Sequence, residues 1–246
     1  MRQMKDKLNH LIIGYGEVGR GLAEVLKKGS NVWILDPYKR FNKNDSWPKK
    51  FDAVHICFPF SKKFLKAVWD LKKKHKHDVL IIHSTVPVGI SDKLGAVHSP
   101  IRGDHPRLAR AIKIFVKYVG GKNAKKAAKL FERYGIKTKL LKNARDSEAL
   151  KLWDTTQYGW MIILNKEIWD WCQKNRINFD MVYRDANQTY NAGYLDLGKN
   201  NVIRPVLKYM PGPIGGHCVI PNCNLLDSSI SKIIKKINKK TRKQKK

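Results

Sequence analysis

Short, unbroken apolar runs alternate along the first half of the chain with segments of helical spacing. Residues 9–14 (Asn-His-Leu-Ile-Ile-Gly) form the first run, with the pattern of a strand buried on both faces. From Gly16 to Lys28 the spacing changes to three and four: Val18, Leu22, Val25 and Leu26 share one face, which predicts a helix. Asn31–Asp36 and Asp52–Phe58 read as a second and third strand, the latter ended by Pro59. Ser61 is placed to cap a helix running to about Lys74, with Phe64, Leu65, Val68 and Leu71 on its apolar face. Val79–His83 is a fourth strand, and shorter ones are expected at Ala96–His98 and near Ile114–Val119. Lys122–Tyr134 reads as a helix, and 146–175 as a long one rich in aromatics (Trp153, Tyr158, Trp160, Trp169, Trp171) that only Gly159 interrupts. Helical structure is expected to continue to about residue 230. Alternating strands and helices predict an α/β fold, an N-terminal doubly wound parallel sheet of Rossmann type followed by a mainly α-helical domain. The expected divisions are 1–120, 121–230 and a tail at 231–246.

The first strand-to-helix turn carries the clearest chemistry. Gly14-Tyr15-Gly16-Glu17-Val18-Gly19 fits G-x-G-x-x-G where a strand gives way to a helix. The first glycine suits the tight turn, the second lets backbone approach a pyrophosphate, and the third lets the helix pack on the sheet. The helix N-terminus adds unpaired N–H groups and the positive end of its dipole. Asp36 closes the second strand 17 residues beyond Gly19, where a carboxylate binds ribose hydroxyls and repels a 2′-phosphate. NAD is therefore the expected cofactor, the preference over NADP being tempered by Lys39 and Arg40 close by.

Composition narrows the class. With 246 residues, 42% hydrophobic and 10% aromatic, the chain is long and apolar enough for real cores rather than disorder. No run of 18 apolar residues predicts a membrane span, and the charged N-terminus leads straight into a strand without signal-peptide character, so the cytoplasm is expected. Cys57, Cys172, Cys218 and Cys223 stand in no metal-ligand spacing and read as free thiols; no metal site is predicted. The formal charge of +30 invites a nucleic-acid partner. Lysine and asparagine are spread throughout, however, and nine of the basic residues lie in Ser231–Lys246, which reads as a solvated or frayed end. Nucleic-acid binding is therefore not the expected main function; a positive field for an anionic substrate is the milder reading.

Three further segments carry meaning together: His83-Ser-Thr-Val-Pro-Val-Gly89 after the fourth strand, Glu148-Ala-Leu-Lys151 opening the long helix, and Pro211-Gly-Pro-Ile-Gly-Gly-His-Cys218, a glycine- and proline-rich loop presenting a cysteine. With the G-x-G-x-x-G and Ser99-Pro100 in this order, the chain resembles the UDP-glucose/GDP-mannose dehydrogenase family from its first strand to about Leu226. The resemblance implies an NAD-dependent oxidoreductase acting on a sugar or nucleotide-sugar alcohol, a role in polysaccharide biosynthesis, and a homodimer formed through the central helical domain. It implies Cys218 as a nucleophile toward an aldehyde intermediate and Lys151 as oxyanion stabiliser, with Thr85 beside the nicotinamide and a catalytic water. Pro59, Ser84 and Thr85 would line the cofactor, and Gly215, Gly216, His217, Arg102 and His105 the substrate. A thiol in an accessible loop and an ammonium near a developing oxyanion make chemical sense on their own terms.

The chain also departs from the family. It resembles a shortened member without the C-terminal UDP-binding domain. Ile101 stands where the family has an acidic residue after Ser-Pro, Asp104 and His105 being the nearby substitutes; Thr155 stands for an asparagine, and Asn222 for an aspartate that assists proton handling. An amide is no base. A non-catalytic NAD-binding relative, or a subunit working with a partner chain, is the alternative.

Overall fold

The computed structural model describes residues 7–36, 47–103 and 107–243. The chain divides into two units, Met1–Lys151 and Leu152–Lys246, the division falling later than the expected one at residue 120.

In the first unit the apolar runs become strands β1 (Asn9–Ile13), β2 (Asn31–Leu35), β3 (Phe51–Ile56) and β4 (His77–Ile82), followed by β5 (Val97–His98), β6 (Lys117–Gly120) and β7 (Thr138–Leu141). Between them lie helices α1 (Glu17–Leu26), α2 (Phe64–Lys74), α3 (Ile90–Leu94), α4 (Leu108–Ile114) and α5 (Ala124–Glu132). One seven-stranded sheet results, in the order β2-β1-β3-β4-β5-β6-β7. Alternation along each strand feeds two layers. Ile12, Ala53 and Ile81 face α1, α4 and α5 through Leu22, Leu26, Leu108 and Phe131. Leu11, Ile13, Val54 and Leu80 face α2 and α3 through Phe64, Val68 and Leu94. The sheet is thus covered on both faces, as the doubly wound reading requires.

Four local expectations change. β6 pairs antiparallel with β5, so the sheet is mostly rather than wholly parallel. Ile114 ends α4 instead of beginning a strand, and Ile114, Phe115 and Val116 are exposed; their apolarity mimicked a strand that starts only at Lys117. Ser61 does not cap α2 through its side chain: Lys63 is the N-cap, and the Ser61 carbonyl accepts from Phe64 N–H. β7 and α3 were not foreseen.

Helix α6 (Ala144–Asn175) spans the division between the units. In the second unit, a π-helical turn at Asp180–Asp185 runs into α7 (Ala186–Asp196), and a 3-10 turn at Asn200–Val202 precedes an irregular stretch. The helical region does extend this far but in pieces, since Pro205, Pro211 and Pro213 lack the N–H a helix interior needs. Short α8 (Val219–Cys223) and α9 (Ser229–Lys243) follow. Ile163, Ile214, Val219, Cys223 and Ile234 form one small core, while Cys172, Phe179 and Tyr183 form another. As far as Lys243 the tail is accordingly helical rather than frayed. Ile230, Ile234 and Ile237 recur at helical spacing and bury one face of α9, leaving its lysines on the other.

Candidate functional site

The carboxyl ends of β2, β1, β3 and β4 gather most of the residues expected to hold a dinucleotide. Gly14 leaves β1 with φ +94°, where a side chain is strained, and a Cβ there would press on the Phe58 and Cys57 backbone after β3. A Cβ on Gly19 would collide with the Gly14 carbonyl, so α1 can approach the turn only because Gly19 lacks one. Gly16 is different: nothing lies within 4 Å of where its Cβ would be, which leaves open space at the N-terminus of α1. No side chain caps that terminus. Glu17 and Gly16 are exposed, while Val18 is half-buried against the core.

The Gly14 N–H donates to the Leu35 carbonyl at 2.9 Å, and the Tyr15 N–H to Asp36 Oδ2 at 2.6 Å. The end of β2 is thereby tied to the glycine turn, and the Asp36 carboxylate sits beside the backbone a dinucleotide would approach. Ser84 Oγ donates to the Phe58 carbonyl at 2.6 Å, fixing the end of β4 against the segment leading to exposed Pro59. Thr85 follows, half-buried. These residues fit a dinucleotide: an uncapped helix terminus, an open glycine, and a carboxylate at the neighbouring strand end.

Glu148 fixes the next loop. Its buried carboxylate accepts from the N–H groups of Gly89 (2.5 Å) and Ser91 (2.8 Å), holding the Ser-Thr-Val-Pro-Val-Gly loop to the start of α6. Burial raises its pKa above the ordinary carboxylate value, while these bonds pull the other way. The E-x-x-K pattern was singled out for its lysine; the geometry gives its glutamate a defined structural task. Lys151 is half-buried, and its charge acts on His98 and Lys117 in the same unit.

Arg102 lies half-buried after β5 with its guanidinium over the rings of Tyr118 (5.6 Å) and Phe115 (5.9 Å). Ile101 is buried in the core. His105 and Asp104, with Lys39 and Arg40 beyond Asp36, lie outside the described residues.

In the second unit the cysteine loop is held at several points. Lys166 donates to the carbonyls of Met210 and Gly212 (the latter at 2.7 Å), and Asn238 Oδ1 accepts the Ile214 N–H at 2.6 Å. Beyond these anchors Gly215, Gly216 and His217 are exposed, Gly216 in the left-handed region at φ +74°, and Cys218 is half-buried at the start of α8. Gly159 has a second purpose here: a Cβ on it would strike Val219, so the glycine in α6 lets α8 pack down. The two substituted positions meet, Asn222 Nδ2 donating to Thr155 Oγ1 at 3.1 Å, and Thr155 Oγ1 donating in turn to the Leu152 carbonyl. The other three cysteines are buried, and burial pushes the Cys57 thiol up to about 12.

Sequence reasoning missed a group of buried polar residues: His10, His55, His83, His98 and Lys117 all lie inside the first unit. The signal was available, since each histidine interrupts an apolar strand run, but only the sheet register shows that they meet.

No family model matches the chain, and no curated protein resembles it closely enough in sequence to count. Solved structures share its fold. A UDP-D-ManNAc dehydrogenase from Pyrococcus horikoshii superposes with a TM-score of 0.76 at 18% identity, over 95% of this chain and 69% of that one. A UDP-glucose dehydrogenase from Pyrobaculum islandicum gives 0.73 at 14% identity, over 98% of this chain and 70% of that one. A Mycobacterium tuberculosis 3-hydroxyisobutyrate dehydrogenase gives 0.69 at 13%, over 96% and 94% respectively. The chain therefore has the fold of these dehydrogenases, a Rossmann-type sheet followed along the chain by a helical domain.

Proposed function

We propose that the chain is an NAD-dependent oxidoreductase that oxidises an alcohol of a sugar or nucleotide sugar and uses Cys218 as a nucleophile. The observation that carries the cofactor half is the uncapped, open glycine turn with Asp36 bonded across it. Gly14–Gly19, Asp36, Pro59, Ser84 and Thr85 would hold NAD, which when bound accepts hydride from an alcohol carbon. The chain's own residues would do the rest. The N-terminus of α1 receives the pyrophosphate, and Asp36 receives the ribose hydroxyls. The resemblance assigns the Cys218 thiol, in a loop that leaves it reachable, to add to the carbonyl carbon of the oxidised product, and Lys151 to offer an N–H to the oxygen that becomes negative. Arg102, with Gly215, Gly216 and His217, is assigned to the substrate. The structures of similar fold named above are dehydrogenases, which supports an oxidoreductase in general. The resemblance supports the cysteine and sugar assignments and a homodimer, whose interface we assign to the exposed stripe Trp153, Trp160, Leu164 and Trp171 on α6.

A second reading has its own observation. Asn222 and Thr155 bond to each other, and neither can act as a general base. That pair favours a protein that stops after one oxidation, or one that binds NAD without turnover. The test is NADH absorbance at 340 nm across a panel of sugars and nucleotide sugars. A dehydrogenase gives NADH with at least one of them, and Cys218→Ser leaves a single oxidation or none. NAD binding with no NADH from any substrate defeats the first reading and leaves only NAD binding without turnover, whereas one NADH per substrate, unchanged by Cys218→Ser, marks a single oxidation.

A further inference from the structure

Three histidines cross the sheet of the first unit in one file. His55 lies level with Ile12 on β1 and Ile81 on β4, while His10 lies two residues before Ile12 and His83 two residues after Ile81. Each step therefore moves one strand over and two residues up, about 5 Å across and about 7 Å along. All three side chains point to the face covered by α5, where Phe131 packs against His55 and His83. The rings stack at 5.2 Å and are joined nitrogen to nitrogen: His10 Nδ1 to His55 Nε2 at 2.9 Å, and His55 Nδ1 to His83 Nε2 at 2.9 Å. At the lower end His10 Nε2 meets the hydroxyl of half-buried Tyr134 at 2.8 Å, which in turn meets Ser30 Oγ. At the upper end, at the carboxyl edge of the sheet, His83 Nδ1 has two neighbours: the Ser99 carbonyl at 2.7 Å and Lys117 Nζ at 3.3 Å. Lys117 also donates to the Ser99 and Pro100 carbonyls and lines a small pocket with Ile101, Arg102 and Phe115.

These two neighbours make opposite demands. A carbonyl can only accept and an ammonium can only donate. Facing the Ser99 carbonyl, His83 carries its hydrogen on Nδ1; its Nε2 then accepts from His55 Nδ1–H, whose Nε2 accepts from His10 Nδ1–H, and Tyr134 donates to His10. Facing a Lys117 ammonium, the file reverses, with every ring carrying its hydrogen on Nε2 and Tyr134 accepting. Both arrangements satisfy every ring nitrogen, and they differ by one proton moved from Lys117 to the Tyr134 end.

We propose that Tyr134, His10, His55, His83 and Lys117 form a proton line through which Lys117 exchanges a proton with solvent at Tyr134, and which discharges the proton released when the alcohol is oxidised. The discharge role rests on the dehydrogenase reading; the line itself does not. The transfer balances. Lys117 gives an Nζ proton to His83 Nδ1, His83 Nε2–H passes to His55 Nδ1, and His55 Nε2–H passes to His10 Nδ1. His10 Nε2–H then passes to Tyr134, whose own hydroxyl proton leaves toward Ser30 and water. Lys117 ends as the neutral amine, ready for the proton an alcohol loses, and a second passage waits for the rings to regain their first tautomer.

The surroundings suit this exchange. Burial, with Lys151 adding to it and Cys57 opposing, lowers Lys117 from 10.5 to about 7. Asp52 and Arg133 flank His10, and His98 acts on His83. Burial keeps the rings neutral, His10 falling to about 4 and His55 and His83 well below the ordinary histidine value, so they pass protons without storing charge.

The test uses the intact protein, 15N-labelled and without added cofactor, with long-range 1H–15N spectra reading each tautomer from pH 5.5 to 9. His10, His55 and His83 are expected to change from Nε2–H to Nδ1–H together, with one midpoint, as pH rises. Lys117→Met should hold all three as Nδ1–H at every pH. Separate midpoints, or wild-type tautomers that never change, overturn the line, and the wild-type spectra decide this even if the variant does not fold. For the discharge role, His55→Phe should lower kcat at least about tenfold with KM for NAD unchanged. An unchanged kcat overturns that role alone. Absence of NADH in the wild type overturns it together with the dehydrogenase reading, while a shared midpoint still upholds the line.

Discussion

Glu148 carries one of the heavier single-residue burdens in the first unit. Its two oxygens receive the backbone N–H groups of half-buried Gly89 and buried Ser91 at the start of α3, which have no partner within that helix. Replacing one oxygen by an NH2 group sets a donor against a donor. Glu148→Gln is therefore expected to destabilise the protein by roughly 1–3 kcal/mol, the cost of a buried unsatisfied donor. A urea titration monitoring the tryptophans measures it; a loss below about 0.5 kcal/mol would show that the loop does not depend on this carboxylate. The sequence marked Glu148 only as part of a pattern with Lys151. What it binds is backbone, and backbone partners leave no trace in residue identities. The glycines were legible for the opposite reason. Gly14 and Gly19 are dictated by a left-handed φ and by a carbonyl in the way, and only one residue type answers both.

Among elements, those buried on two faces were the readable ones. β1, β3 and β4 announce themselves as mainly apolar runs broken by a few polar residues such as His10 and His55, and α1 by its spacing, because burial constrains nearly every position. β7 is an edge strand with its middle residues exposed, so Thr138–Leu141 carries no such signal. α9 misled because its lysines outnumber the isoleucines that pack it. The histidine file stayed hidden because adjacency across strands depends on register, which no single strand encodes. The file has a consequence for stability. His10, His55, His83 and His98 are all held below the ordinary value by burial, His98 to about 3. Below pH 6.5 the unfolded chain binds protons at these four rings and the native state does not, so stability falls with pH until the native pKa values are reached. Four such rings set a slope of up to about 5 kcal/mol per pH unit between pH 6 and 4. Urea midpoints across that range should fall steeply, and His55→Phe should remove about a quarter of the slope. A midpoint flat from pH 6.5 to 5 would mean the rings are not buried neutral.

For the whole molecule, the two units divide the proposed chemistry. The first contains the turn proposed to hold a dinucleotide, where Gly14 and Gly19, the uncapped N-terminus of α1 and Asp36 come together. The second contains an anchored cysteine loop beside a substituted pair, Asn222 and Thr155, that handles no protons. The fold class was readable from alternation alone, whereas the site assignments rest on the motifs and the resemblance, because side-chain chemistry leaves no periodic pattern. All of it depends on NAD entering the glycine turn. Calorimetric titration of the intact chain with NAD and, separately, with NADP tests this most directly. One NAD is expected to bind saturably per chain, with NADP weaker by at least about tenfold, since Asp36 repels a 2′-phosphate. No heat with NAD, or equal affinity for the two, would contradict it.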